Sequence, residues 1–319
     1  MKNSDWDPLF DEYAVQVINK LHADELSSTF SEYAQFLIER VQSMPAWQIA
    51  LPVIACRAAG GSLEDGIILA SAWVPLYLAS EILDKVEDKE LMPDRFLTSP
   101  EVASNLATGL IFASFQTLTS IQDAGKASQI IRIFSGSGFD AVNGQHRDLV
   151  QTRLPVELSL NNYWEIIILK SGSVFRAAIE GGAAAGGADE TIAEALGDYG
   201  AALGVMLQLM DDCRDAFNHS QEAINWEISL PLLLYLMTVG EENIIFPEVS
   251  SRAEWSNLLK ETGVIDSIAW LLLQWKSRAL DSLVPLRKSR EKLVLERIPS
   301  LLLERIPSIP SEMIDENGI

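Results

Sequence analysis

The sequence predicts an all-α protein organised as a single domain, and three observations carry that prediction. Apolar residues recur at three and four spacings through most of the chain, no convincing strand series is visible, and the breaks between periodic stretches are short. In order, the periodicity marks helices at 8–21, 29–43, 64–90, 101–121, 127–150, 160–185, 190–217 and 264–287. Gly60-Gly61 punctuates before the third of these, Pro93 and Pro100 follow it, the small-residue run EGGAAAGGADE follows the sixth, and FNHSQEA follows the seventh. The small-residue run lets helices approach closely or turn; it follows a helix and lacks a P-loop lysine, so it is not read as a phosphate cradle. The closing near-duplicate LERIPSLLLERIPS predicts a capped or Pro-broken terminal helix and is too short for a solenoid.

With 319 residues and 48% hydrophobic content the chain can bury a large core. Its formal net charge of -21 argues against a nucleic-acid partner, because an acidic surface repels a phosphate backbone. An anionic substrate would therefore need metal cations. Cys56 and Cys213 form no CxxC pair, which suits buried thiols in a reducing compartment, and a cytoplasmic location is expected. The acidic N-terminus, MKNSDWDPLFDEYAV, lacks the order of a secretory signal and is expected to be retained. The apolar stretch GIILASAWVPLYLAS is shorter than the roughly 20 residues a bilayer requires and contains Pro75, so it reads as a core helix with no stable membrane insertion. His22, His146 and His219 are scattered, with no zinc spacing, and no G-x-S-x-G elbow or P-loop is present.

Chemistry concentrates in two acidic stretches. In LGVMLQLMDDCRDAF, Asp211 and Asp215 are four apart and Asp212 and Asp215 three apart, which leans all three carboxylates to one edge of a helix. Such like charges are tolerable when well solvated, with Arg214 screening them, or when cations neutralise them, and Mg2+ favours a few carboxylate oxygens together with water and substrate phosphates. In LASEILDKVEDKE, Asp84, Glu87 and Asp88 again share one face just after an apolar run. Facing each other across a helical cavity, the two faces could clamp Mg2+ and through it a diphosphate. The plainer alternative is surface ion pairing, Glu81 with Lys85 in particular.

Several stretches, in order over roughly residues 45 to 290, resemble the trans-isoprenyl diphosphate synthase superfamily. GQHRDL (144–149) is similar to its GQxxDL segment, LKSGSVF (169–175) to KTxxLF, YGAALGVMLQLMDDCRD (199–215) to YGxxLGxxFQxxDDxxD, and SLP (229–231) to TLP. The resemblance implies an isoprenoid synthase helical bundle around a central cavity, an allylic prenyl diphosphate substrate, up to three Mg2+ ions and a homodimer. It implies that Asp211, Asp212 and Asp215 form the second aspartate-rich motif and that Asp84 and Asp88 are the outer aspartates of the first. Asp84, Glu87, Asp88, Asp211 and Asp215 are then the expected metal ligands, Asp212 a supporting carboxylate, and Lys170, Gln208 and Lys85 the diphosphate contacts. Gln145, Tyr77, Ala79, Ser80, Phe112, Phe115 and Phe175 are the expected pocket residues. Trp73 and Trp164 join Tyr77, Phe112, Phe115 and Phe175 as candidate aromatic wall, although ordinary core explains each of them as well.

Departures from the family pattern bear on the reaction. Lys85 stands where the first motif carries its second aspartate. The aligned counterpart of the GKRxRP stretch, which holds isopentenyl diphosphate, is Trp47, Gln48, Ile49, Ala50, Leu51, Pro52, with no cation. Glu227 falls where a lysine precedes TLP, and no paired arginines follow the first motif. Apolar side chains do not offset a second diphosphate's charge, so chain elongation is disfavoured. The leading expectation is thus a class I terpene synthase that ionises an allylic diphosphate and quenches the cation within an apolar pocket. ASEILDKVED together with GQHRDL also resembles bacterial isoprenyltransferases that prenylate tryptophan in a pheromone precursor. The alternatives are prenyl transfer to another acceptor, elongation with Arg57 or Arg95 replacing the missing cations, and a silent subunit of a heteromeric prenyltransferase. Small residues at Ala79 and Ser80, a turn before the first motif, point to a farnesyl chain or longer.

Overall fold

Helix starts are written into the local sequence. Ser62, Ser99, Ser159, Ser251 and Ser289 have extended backbone, and their hydroxyls accept from the N–H groups of Asp65, Val102, Asn162, Glu254 and Lys292. Each satisfies one donor that a helix leaves unpaired in its first turn. Among the described residues four turns use glycine at positive φ, Gly60 between two long helices among them at +94°, a conformation that a Cβ disfavours.

The computed structural model describes residues 6–23, 31–90, 94–151, 159–216, 229–240 and 247–304. The side chains of residues 23, 31, 151 and 215 lie outside that description, as do Pro93, all of FNHSQEA with His219, Glu227 and the end of the terminal repeat. None of the described residues is in a strand. The helices are α1 Pro8–Ala23, α2 Ser31–Ser43, α3 Ala46–Ala58, α4 Leu63–Glu87, α5 Pro100–Leu118, α6 Ala124–Gln151 and α7 Leu160–Ile167, with a π-helical turn at Ile168–Gly172. They continue as α8 Ser173–Ala185, α9 Glu190–Ala216, α10 Leu230–Val239, α11 Arg252–Glu261, α12 Val264–Ser282 and α13 Arg290–Leu303.

Three helices went unread in the periodicity. In α3, residues from Trp47 to Cys56 are buried nearly all round, so no polar face marks the helix period. The apolar LPLLLYLMTV of α10 has the same property, and α11 is short and polar. The predicted helix at 160–185 is interrupted by the π turn, and α13 continues through Pro299.

α4 is the central strut, packing on α5, α3, α8 and α1. α9 lies against α8, the π turn and α12, while α6 lies against α8 and the π turn, which leaves α4, α6, the π turn and α9 around one region. By length and composition α4 could cross a bilayer, but 61% of its apolar window is buried within the protein, in keeping with a core helix. The small-residue run does what its composition implies: α8 lies with its backbone against α3. A Cβ on Gly182 would stand 2.6 Å from the Pro52 carbonyl oxygen, and one on Gly186 would stand 2.6 Å from that of Cys56.

Gly182→Ala therefore tests the packing by its sign. Helix propensity alone would stabilise the variant by up to about 1 kcal/mol. Overpacking at this contact is expected to destabilise it by about 1–3 kcal/mol instead, read from the urea midpoint at unchanged slope. A stabilised variant would show that α3 and α8 are not so close.

Candidate functional site

Tyr77, Glu81, Asp84 and Asp88 follow one another at four, three and four residues along α4 and so share a face. α6 contributes Gln145 and Asp148, the π turn contributes Lys170, and α9 contributes Gln208, Asp211 and Asp212. Glycine makes their convergence possible. A Cβ on Gly144 of α6 would fall 2.5 Å from the Lys170 nitrogen, and a Cβ on Gly204 of α9 would fall 2.3 Å from the Ser171 carbonyl oxygen. The backbone carrying Lys170 is thus pressed between two helices with no side chain intervening. The extra residue of a π turn, a feature that recurs at functional sites, shifts the helix register at this point.

Lys170 is the electrostatic centre. Its ammonium lies 2.8 Å from Asp84 Oδ1, 3.2 Å from Asp148 Oδ2 and 3.9 Å from Asp88 Oδ2. Burial lowers its affinity for the proton, but Asp84, Asp148 and Asp88 outweigh that and hold it above the ordinary lysine range. Gln145 Nε2 donates to Asp88 Oδ1 at 3.3 Å. Burial and the charges of Asp84 and Asp148 raise the Asp88 carboxyl, against the pull of Lys170 and Gln145.

The second acidic motif divides its labour. Asp212 accepts from Tyr163 Oη at 2.8 Å, from the Leu230 backbone N–H at 2.9 Å and from Gln208 Nε2 at 3.0 Å. Ser171 Oγ donates to the Gln208 oxygen at 2.8 Å and orients that amide. Burial lifts the Asp212 carboxyl above its usual range while the three donors oppose the lift. Asp212 is therefore a brace that ties α9 to α7 and to the start of α10. Asp211 pairs with the exposed Arg214 and lies close enough to Tyr77 and Glu81 to raise both. A cavity of about 40 Å³ lies among Asp148, Tyr163, Ile166, Ile167, Lys170, Gln208 and Asp212, room for little more than a water molecule.

Glu81 lies on the acidic face of α4. It keeps more than a third of its surface accessible. Burial raises its carboxyl, Lys85 and the Tyr77 hydroxyl lower it, and Asp84 and Asp211 raise it. The Tyr77 ring stands 5.1 Å from Trp73 and 5.9 Å from Phe175, and Trp47 stacks on Phe175 at 6.5 Å.

Among the expected pocket residues, Tyr77, Gln145 and Phe175 are brought to this region. Phe112 is not: at 71% exposure it sits on the outer surface of α5. Ala79 is packed in the core at 1% exposure, Phe115 rests half-buried on the core, and the Ser80 hydroxyl is turned back to the Tyr77 carbonyl. Trp164 belongs to a separate group with Tyr163 and Trp275. Lys85 and Glu87 are exposed at the end of α4, and the Asp215 side chain lies outside the described residues. Arg57 is engaged by the Gly61 carbonyl and Glu291, and Arg95 by Glu39, so neither is a spare cation for the site. Sequence reasoning missed Asp148, Tyr163 and Glu81 as site residues. Asp148 was visible within GQHRDL, and Glu81 was visible as the residue between Tyr77 and Asp84 on one helical face.

Among the described residues no three acidic, histidine or cysteine side chains form a ready-made metal site. The donor type still fits a divalent ion. Three carboxylates gather hard oxygens about one positive charge, the chemistry that suits Mg2+.

Residues 98–225 match the polyprenyl synthetase family. The geranylgeranyl diphosphate synthase of Methanosarcina mazei is 24% identical over 269 residues, covering 78% of this chain and 82% of the relative. The solved geranylgeranyl pyrophosphate synthetase from the archaeon Geoglobus acetivorans superposes with a TM-score of 0.80 at 17% identity, covering 93% of this chain and 98% of that one. A polyprenyl synthase from Caulobacter crescentus, complexed with calcium and isoprenyl diphosphate, superposes with a TM-score of 0.75 at 20% identity over 93% of this chain and 95% of that one. At these identities the structural likeness shows the fold, an isoprenyl synthase helical bundle. Together the matches support membership of the trans-isoprenyl diphosphate synthase superfamily.

Replacing Lys170 by Met leaves three carboxylates facing one another. A loss of about 1–2 kcal/mol is expected in EDTA, discounted because the aspartates are a third or more exposed. Mg2+ should then raise the melting temperature of the variant more than that of the parent. An equal Mg2+ response in the two proteins would contradict a shared position for ammonium and metal.

Proposed function

We propose that this member of the superfamily is a divalent-metal-dependent prenyltransferase that ionises an allylic prenyl diphosphate, of farnesyl length or longer, and passes the prenyl group to an acceptor. The observation that carries the reading is the convergence of Asp84, Asp88 and Asp148 on Lys170, with Asp211 of the second motif beside Glu81 on the same acidic face. The relatives named above are prenyl diphosphate synthases, which favours transfer over the terpene synthase reading that led from the sequence.

Asp84, Asp88, Asp148 and Asp211 would hold Mg2+, with Glu87 at the rim. Bound Mg2+ supplies positive charge to a departing diphosphate. Lys170, fixed between α6 and α9, adds a cation that moves little during the reaction, so its attraction grows as charge develops on the leaving group. Asp212 keeps Asp211 oriented by anchoring their shared helix turn, and Gln208 bridges that anchor to the π turn. The faces of Tyr77 and Phe175 offer negative quadrupoles to a carbocation and exclude water from it. That aromatic wall, with no second cluster of cations beside it among the described residues, keeps intramolecular cyclisation as a second reading.

The protein is also proposed to be a cytoplasmic homodimer. Two buried free thiols fit a reducing compartment. Val102 and Phe112 on α5 and Ile131, Phe139 and Val142 on α6 leave large apolar side chains exposed on two successive helices, a surface suited to a second copy.

Purified protein with Mg2+ and geranyl, farnesyl or geranylgeranyl diphosphate, with and without isopentenyl diphosphate, should release diphosphate. The rate should fall by roughly 10²–10³ in Asp84→Ala and Asp211→Ala. Full activity in both variants would refute the site. Light scattering should show a dimer that Phe139→Asp dissociates; a parent monomer would refute the assembly.

A further inference from the structure

The corner between α12 and α13 carries a charge opposite to that of the chain as a whole. Residues 284–297 hold five cations, Arg287, Lys288, Arg290, Lys292 and Arg297, against two anions, Glu291 and Glu296, in a protein whose formal net charge is -21. The fold takes up part of that charge. Arg290 pairs with Asp7 at 3.1 Å and Glu291 with Arg57 at 3.8 Å, while the Lys292 ammonium donates to the Leu286 carbonyl at 3.1 Å and meets Glu296 at 3.8 Å. Arg287, Lys288 and Arg297 are exposed and ion-pair with none of the described residues.

Apolar side chains stand among these cations. Val284 is 72% exposed and Leu293 62%, and Pro285 is exposed beside Val284. The turn that presents them is firmly held: Leu283 and Leu286 are buried, the Leu286 N–H donates to the Leu283 carbonyl at 3.1 Å, and the Ser289 hydroxyl caps α13. Val284 and Pro285 therefore protrude from a backbone anchored on both sides, which lowers the ordering cost of meeting a partner. On α13, Leu293 and Arg297 are four residues apart and share one exposed stripe.

A single exposed apolar residue is ordinary. Protruding apolar groups set among cations that the protein leaves unneutralised call for a partner that is anionic at its surface and apolar just beneath. An anionic bilayer has that profile: its headgroups attract Arg and Lys, and the boundary below them accepts apolar side chains. Charges beyond about 8 Å are screened at physiological salt, so the sign of this corner governs the encounter and the net charge of the chain does not. A nucleic acid would give Val284 and Leu293 no apolar phase to enter. A stable protein interface takes roughly 20–30 residues a side, far more than protrude here.

We propose that the α12–α13 corner is a reversible docking surface for an anionic lipid bilayer. Arg287, Lys288 and Arg297 meet the headgroups, and Val284, Pro285 and Leu293 enter the interface; the chain lies on the bilayer and does not span it. The surface goes beyond the prenyl-transfer reading and does not depend on it.

Flotation with lipid vesicles tests the surface without any substrate. Full-length protein in about 0.15 M salt is mixed with vesicles of phosphatidylcholine alone or with one-third phosphatidylglycerol. The parent should bind the anionic vesicles about a hundredfold more tightly than the neutral ones, and about 1 M salt should remove the difference. Each cation is expected to contribute about fivefold, so Arg287→Ala, Lys288→Ala and Arg297→Ala combined should bring anionic binding down to the neutral level. Val284→Asp with Leu293→Asp should weaken it by about tenfold or more. These exposed substitutions should leave the melting temperature within a few degrees of the parent's. Equal binding of neutral and anionic vesicles by the parent, or equal binding of anionic vesicles by the parent and the triple variant, overturns the proposal. A parent that ignores vesicles overturns it too: the corner then belongs to a second copy if light scattering shows that the triple variant loses a self-association, and to a soluble polyanion if the parent alone is retained on heparin.

Discussion

One ammonium shared by three carboxylates organises this protein. Asp84 and Asp88 come from α4, Asp148 from α6 and Lys170 from the π turn, elements separated widely in sequence. Bringing the aspartates together without a cation would be unfavourable, because partial desolvation strengthens their repulsion. Lys170 reverses the sign of that energy, and the aspartates in return keep its charge against burial. The cluster stays compact while remaining accessible on one side, the condition under which an ammonium and a divalent ion can compete for the same oxygens.

The backbone meets this electrostatic demand through small residues. Gly144 and Gly204 let α6 and α9 press on the peptide groups on either side of Lys170, while Gly182 and Gly186 let α8 sit directly on α3. These approaches are tight because interiors are packed to the density of organic crystals, so that a single methyl group has nowhere to go. The rigidity they impart fixes where the lysine points. The π turn belongs to the same constraint: a regular helix through 160–185 would place Lys170 at a different rotation relative to Asp148.

Two adjacent aspartates of one motif have become different groups. Asp212 is filled by three donors and braces α7, α9 and α10, whereas Asp211, about a hundred degrees further round the helix, faces Glu81 and Tyr77. Aromatic residues divide in a similar way. Tyr77 and Phe175 flank the acidic face, Trp73 is sealed in the core, and Phe112 is turned outward.

From the sequence alone came the helical class, the two acidic faces, the lack of cations at Trp47 and Gln48, and the family resemblance. All of these are properties of spacing along one helix or of residue type, which the chain carries locally. Helices α3 and α10 escaped because near-continuous apolar sequence leaves no polar stripe for periodicity to find. Which carboxylates meet Lys170, why Asp212 braces while Asp211 pairs with Arg214, and that Phe112 lies outside were decided only by tertiary structure. Those outcomes depend on how helices rotate and how closely they approach, and a few glycines, one π turn and long-range packing set both quantities together.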